Sequence, residues 1–351
     1  MDKTDFTDSP IESAAFADRF PRGPGSLAII EDGLLDEETA IRSVNERGIV
    51  LAPSLISQMV ALLNSGKHLI IKGPPGVGKT TVAEALAEAA VRCQLAKGSI
   101  ATTATADWSA ADTVGTYRMA PDDARQLEFH DGLLVEAIRQ NYWLVIDELN
   151  RSDIDKAIGQ FFTVLSGQSV VLPFVDSDDR RIAIVPHGLE PPEGDVAPIF
   201  VSPTWRLIAT MNERDLDLLF EMSEALLRRF GEVRIDPPTA DEWEEILAGH
   251  LPEDPDLAKW VTSLGTLKLP NMPGVRVGPA VVKDCCEYLA ERTRMSTSPI
   301  EPRILIDEAV KSLVLPHLRN STLDDEELFQ ALTGRLGDEP ASAEDDDGTQ
   351  D

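Results

Sequence analysis

Residues 68–90 read HLIIKGPPGVGKTTVAEALAEAA, an apolar run that passes through a Gly- and Pro-rich turn straight into an Ala-rich helical pattern. Few segments constrain a fold so tightly. Gly73, Pro74, Pro75, Gly76, Val77, Gly78, Lys79 and Thr80 complete the spacing G-x-x-x-x-G-K-[ST], and Thr81 follows it. Glycines let the backbone turn so that successive N–H groups point at one anion, helped by the positive end of the following helix. Lys79 adds a point charge suited to the β- and γ-phosphates of a nucleotide, and Thr80 a hydroxyl suited to Mg²⁺. Strand, turn and helix in that order predict an α/β domain with a parallel sheet.

The rest of the chain falls into four regions. Residues 1–46 are rich in Asp, Glu, Pro and Gly and read as an irregular leader with room for one helix. From 47 to 235, short β-branched runs alternate with helical patterns, the signature of a parallel α/β core. The runs are His68–Ile71, Ser99–Thr103, Tyr142–Ile146, Arg206–Thr210 and Glu232–Ile235. Residues 236–336 carry successive amphipathic helices and no strand signal, which predicts a smaller all-α domain. Residues 337–351 are acidic and poor in apolar residues, and read as a disordered tail. Ile154, Ala157, Ile158, Phe161, Phe162 and Leu165 recur at helical spacing, with Ser152 or Asp153 placed to cap that helix.

Composition narrows the partners. The formal net charge is −29, which argues against a broad nucleic-acid or anionic-membrane surface, because phosphate binding needs clustered Lys and Arg. No run approaches the ~18 apolar residues of a membrane span, and the acidic N-terminus lacks the apolar core of a secretory signal. Three cysteines with no C-x-x-C pair fit a reducing cytoplasm, and Cys285 and Cys286 fall on an apolar stripe with Val281, Val282 and Leu289. The five histidines show no metal-ligand spacing, so no metal beyond Mg²⁺ is expected.

Hydrolysis needs more than a phosphate cradle. The run YWLVIDEL (142–149) is an apolar strand ending in two carboxylates. Asp147 is placed to hold the Mg²⁺ shell, and Glu148 is the candidate general base for the attacking water. Asn212 follows the next strand, WRLIAT (205–210), where a neutral polar side chain can reach the γ-phosphate and the water.

Together these residues resemble the AAA+ superfamily, specifically the helix-2-insert branch of MoxR-type, dynein-related and McrB-like ATPases. The resemblance spans roughly residues 47–320. It rests on DELNR (147–151), IATMN (208–212) and SEALLRRF (223–230), and on DTVGTY (112–117) followed by LEFHDGL (127–133). The last pair is similar to the insert in which a hairpin leaves the sheet ahead of the DE strand. The resemblance implies a P-loop sheet sandwiched by helices, a helical lid, and homo-oligomeric assembly into a ring, usually a hexamer, with ATP at subunit interfaces. It implies Asn212 as sensor 1, Arg229 or its neighbour Arg228 as the finger reaching the next subunit, and Arg303 of SPIEPR (298–303) as sensor 2.

Two features depart from the MoxR pattern. Met211-Asn212-Glu213-Arg214-Asp215 replaces the usual Gln-Asn pair followed by proline and is closer to the McrB-like form. Residues 168–204 are long for a simple hairpin; Gln168–Leu172 and Arg181–Val185 are expected to pair, with a flexible loop after them. The expected function is an ATP-driven ring that remodels or activates a protein partner, by analogy one with a von Willebrand A domain. The alternatives are a McrB-like motor, driven by ATP or GTP and acting with a separate nuclease in nucleic-acid defence, and a nucleotide-gated assembly scaffold.

Overall fold

The computed structural model describes residues 33–119, 127–159, 161–212, 224–266, 277–318, 329 and 332–333. Most of the leader, the segment Glu213–Asp215 and the acidic tail lie outside them. The chain divides into two compact units, Met1–Asp236 and Pro237–Asp351.

The described residues of the first unit form ten strands. Five of them, β1 (His68–Gly73), β2 (Gly98–Thr103), β5 (Tyr142–Asp147), β9 (Leu207–Asn212) and β10 (Phe230–Arg234), form a parallel sheet in the order β10-β1-β9-β5-β2. All five runs predicted from the sequence are therefore strands of one sheet.

Side chains alternate across it. Leu69 and Ile71 of β1, Trp143 and Val145 of β5, and Ile208 of β9 enter one apolar cluster with the helices Glu37–Glu46, Pro53–Asn64 and Lys79–Arg92. Ile70, Leu144, Ile146, Leu207 and Ala209 enter the other, with Leu133–Gln140, Ile154–Ile158 and Phe161–Leu165. Burial on both faces is why these strands read as unbroken apolar runs.

The helix Glu37–Glu46 lies in the stretch read as leader. Its N-cap Asp36 accepts from the Thr39 N–H at 2.8 Å, and Ala40 and Val44 are fully buried. Ordered chain thus joins the sheet's packing ahead of residue 47.

Two insertions interrupt the parallel core. The first is the expected hairpin, β3 (Gly115–Met119) antiparallel to β4 (Leu127–Asp131), pairing Gly115 with Asp131 and Met119 with Leu127. The second begins with β6 (Val170–Val175) antiparallel to β7 (Arg181–Pro186), as the sequence indicates. The stretch after it differs from the flexible loop expected there. Val196–Val201 forms β8, parallel to β7, making a three-stranded sheet. Ile199 of β8 is buried against the core, and this tertiary contact recruits a run that sits among Pro and Gly residues.

The periodic segment after Asn150 forms two helical pieces, Ile154–Ile158 and Phe161–Leu165, with Gly159 between them in right-handed helical backbone. Asp153 is the cap, accepting from the Lys156 N–H at 3.2 Å, while Ser152 is buried.

The described residues of the second unit are helical: Ala240–Leu247, Pro255–Thr266, Pro279–Arg294 and Pro302–Ala309, the last running through a π-helical stretch, Val310–Val314, into Leu315–Leu318. Thr239 and Glu242 close a capping box at the first of these. Cys285 and Cys286 are core residues, as their stripe indicates, and burial pushes their thiols up to about 12 and about 11.

Candidate nucleotide site

The turn between β1 and the helix Lys79–Arg92 wraps tightly because two glycines allow it. A Cβ on Gly73 would stand 2.4 Å from the carbonyl oxygen of Ile235, where the chain leaving β10 runs beside the end of β1. Gly78 caps the helix at φ 87°, a left-handed backbone that L side chains rarely adopt. The turn thereby lies at the C-terminal edge of the sheet, where open α/β sheets bind ligands.

Five predicted residues meet there. Lys79 is buried, and its Nζ donates to the Pro74 carbonyl at 2.8 Å and to Asn212 Oδ1 at 2.6 Å. Asn212 Nδ2 in turn donates to Glu148 Oε1 at 2.7 Å. Thr80 Oγ1 donates to Asp147 Oδ1 at 2.6 Å. The ends of β5 and β9 and the first turn of the helix that follows β1 thus bring their polar side chains together, because β9 lies between β1 and β5. The Thr80 hydroxyl and Asp147 carboxylate are adjacent hard oxygen donors, the chemistry that Mg²⁺ prefers.

Three further residues build the cluster; they lie within the DELNR and IATMN segments, where the sequence assigned them no role. Thr210, fully buried, donates its hydroxyl to Asp147 Oδ1 and accepts the Glu148 N–H at 3.0 Å. Asn150 is buried and donates Nδ2 to the Asn212 carbonyl at 3.4 Å. Arg151 Nε pairs with Glu148 Oε2 at 2.6 Å. The signal for Thr210 was its register: Ile146 pairs with Ala209, so Asp147 and Thr210 stand one step further along the same ladder.

Comparison with known proteins fits this arrangement. The family profile of the AAA domain, dynein-related subfamily, matches residues 68–230, which span the phosphate turn, the DE strand and Asn212. Residues 68–230 are a dynein-related AAA domain. Midasin from Dictyostelium discoideum is 30% identical over 233 residues, 64% of this chain but 4% of midasin. An uncharacterized protein of Staphylococcus haemolyticus is 30% identical over 196 residues, 55% of this chain and 65% of that one. One from Staphylococcus aureus is 29% identical over 184 residues, 50% and 58% of the two chains. The chain thus spans less than two thirds of each of these relatives. A solved chain from Cytophaga hutchinsonii, described as a putative ATPase, aligns over 84% of this chain and 94% of its own at 12% identity, with a TM-score of 0.37, too loose a likeness to carry weight.

An AAA domain implies ATP binding, and the cluster lies where the phosphates of a nucleotide would meet it. Arg228 and Arg229 stand elsewhere in the first unit. Arg229 is at the opposite edge of the sheet: its carbonyl accepts from the His68 N–H at 3.2 Å, and its Nε donates to Ser166 Oγ at 2.7 Å. At about 3.3 Å per strand residue, that is roughly 16 Å from the phosphate turn of its own chain. Arg228 is exposed and pairs with Glu224 at 3.3 Å. Arg303 is exposed in the first turn of Pro302–Ala309, in the second unit. No helix among the described residues is long and apolar enough to cross a membrane.

Proposed function

We propose that the chain is an Mg-ATP-hydrolysing AAA+ ATPase that assembles into a ring and uses turnover to remodel or activate a protein partner. The observation that carries this reading is the single cluster of Lys79, Thr80, Asp147, Glu148 and Asn212 at the C-terminal edge of the sheet. Backbone N–H groups of the Gly73–Thr80 turn bind the phosphates, with Lys79 adding charge against the β- and γ-groups. Thr80 and Asp147 are the residues that would hold Mg²⁺, which when bound neutralises charge developing on the phosphates. Glu148 orients the attacking water and takes its proton, and Asn212 reaches both the water and the γ-phosphate.

Arg229 sits too far from its own phosphate turn to act there, which favours action on a neighbouring subunit's nucleotide, with Arg228 the alternative finger. Arg303 is the proposed sensor 2 of a lid. A hexamer, and a partner carrying a von Willebrand A domain, follow from the MoxR-type resemblance.

The test is steady-state ATPase activity of the wild type and Glu148→Gln. The variant is expected to bind a fluorescent ATP analogue as the wild type does while losing at least about a hundredfold in kcat. Equal rates in the two would sink the assignment. Turnover of GTP alone, with salt-dependent DNA binding, would replace it by the McrB-like reading that the Met211-Asn212 pair favours.

A further inference from the structure

The carboxylate of Glu148 is held at both oxygens. Asn212 Nδ2 donates to Oε1 at 2.7 Å, and Arg151 Nε binds Oε2 at 2.6 Å. The hold is built into the backbone. Glu148 stands at φ 52°, a left-handed conformation unusual for a residue with a side chain. It is kept there by the Arg151 N–H donating to the Glu148 carbonyl at 2.9 Å and by the Glu148 N–H donating to Thr210 Oγ1 at 3.0 Å. The tight 3₁₀ turn Leu149–Arg151 then folds the guanidinium back onto the carboxylate, three residues apart in sequence.

The two holds differ in what can release them. Asn212 also accepts from Lys79 Nζ at 2.6 Å, so a γ-phosphate that binds Lys79 competes directly with Asn212. Nothing in that competition touches Arg151. Its side chain is 53% exposed, against 20% for Glu148, so it is the arginine that can swing into solvent. A carboxylate acting as general base has to present a lone pair to water in a set direction, and a charged hydrogen bond fixes another direction.

We propose that Arg151 is a positioning residue that parks the Glu148 carboxylate, and that the Arg151–Glu148 pair opens before each hydrolysis. This rests on the hydrolytic reading of Glu148 given above. Opening the pair belongs to the chemical step and not to nucleotide capture, so its signature is in kcat and not in KM. Half-exposed ion pairs are weak, so removing this one should change the rate by about two- to fivefold.

The experiment is steady-state ATP turnover by the full chain in four variants. Arg151→Met keeps the aliphatic stem without the charge, and Arg151→Ala removes both. Each is expected to raise kcat about two- to fivefold at unchanged KM for ATP. Arg151→Lys, which restores a cation within reach of Oε2, should return kcat towards wild type. Glu148→Gln should be inactive. If Arg151→Met turns over at or below the wild-type kcat while Glu148→Gln is inactive, the parking role is overturned. If Arg151→Ala is poorly folded, Arg151→Met decides. Wild-type turnover by Glu148→Gln would remove the hydrolytic reading and this inference with it, and that variant alone identifies the case.

Discussion

Thr210 shows what one hydroxyl can hold. It donates to Asp147, accepts from the Glu148 backbone, and stands fully buried on β9. Replacing it with Val keeps the shape but leaves the Glu148 N–H without its acceptor and removes one of the two hydroxyls, with Thr80, that donate to Asp147 Oδ1. A buried group left unsatisfied costs about 1–3 kcal/mol. Thr210→Val is therefore expected to lower the melting temperature and to reduce kcat about tenfold, since Asp147 and Glu148 lose their fixed orientation together. An unchanged kcat would show that the β5 end holds its geometry without help from β9. Lys79, Asp147 and Glu148 were legible in the sequence because their motifs carry them. Thr210 was not, because a Thr inside a β-branched strand looks like any other strand residue.

Among the elements, β1 is the pivot of the sheet, paired with β10 on one side and β9 on the other. It begins with His68, whose Nδ1 accepts the Leu207 N–H at 3.0 Å and whose ring lies 5.5 Å from both Trp205 and Phe230. Burial pushes the pKa of His68 down to about 3, and the nearby charges of Arg206 and Lys67 push it the same way. The unfolded chain takes up this proton near the ordinary value of 6.5, whereas the folded chain resists it until about pH 3. Stability from this residue is thus complete above pH 6.5 and is lost as the pH falls from there towards 3. Each pH unit inside that window costs about 1.4 kcal/mol. His68→Gln keeps an acceptor without a titrating proton, so the fall in urea midpoint across that window should be shallower in the variant. Identical pH profiles would place the acid sensitivity elsewhere. β1, β5 and β9 were readable at this scale because burial on both faces makes them apolar runs, whereas the edge strands β2 and β10 were read from short β-branched runs between helical patterns. The three-stranded nature of the second insertion was not, because β8 is recruited by packing of Ile199 against a distant part of the chain.

For the whole molecule, the placement of Arg229 is decisive. The His68–Arg229 contact puts it at the edge of the sheet opposite the phosphate turn. If Arg229 completes a neighbour's site, Arg229→Ala and Glu148→Gln should each be inactive alone, yet regain turnover when mixed. In a mixed ring, some interfaces pair an intact Glu148 with an intact Arg229. Mixing experiments followed by phosphate release would measure this, with light scattering to confirm assembly. A mixture as inactive as its components, in rings shown to exchange subunits, would refute the trans role. The charge of −29 bears on the same scale, since mutual repulsion must be overcome at any subunit interface and added salt should favour assembly.

The sequence by itself determined the phosphate turn, the order of strands and helices along the chain, and the residue types at the sheet's C-terminal edge. Those depend on local backbone freedom and on periodicity, both of which are written in short windows. Only the tertiary structure decided which strands are neighbours. That order brings Asn212 between Lys79 and Glu148 and stacks Thr210 on Asp147. It also decided that a tight turn lays Arg151 across the carboxylate. Such contacts arise from strand order and turn geometry, which no single segment encodes.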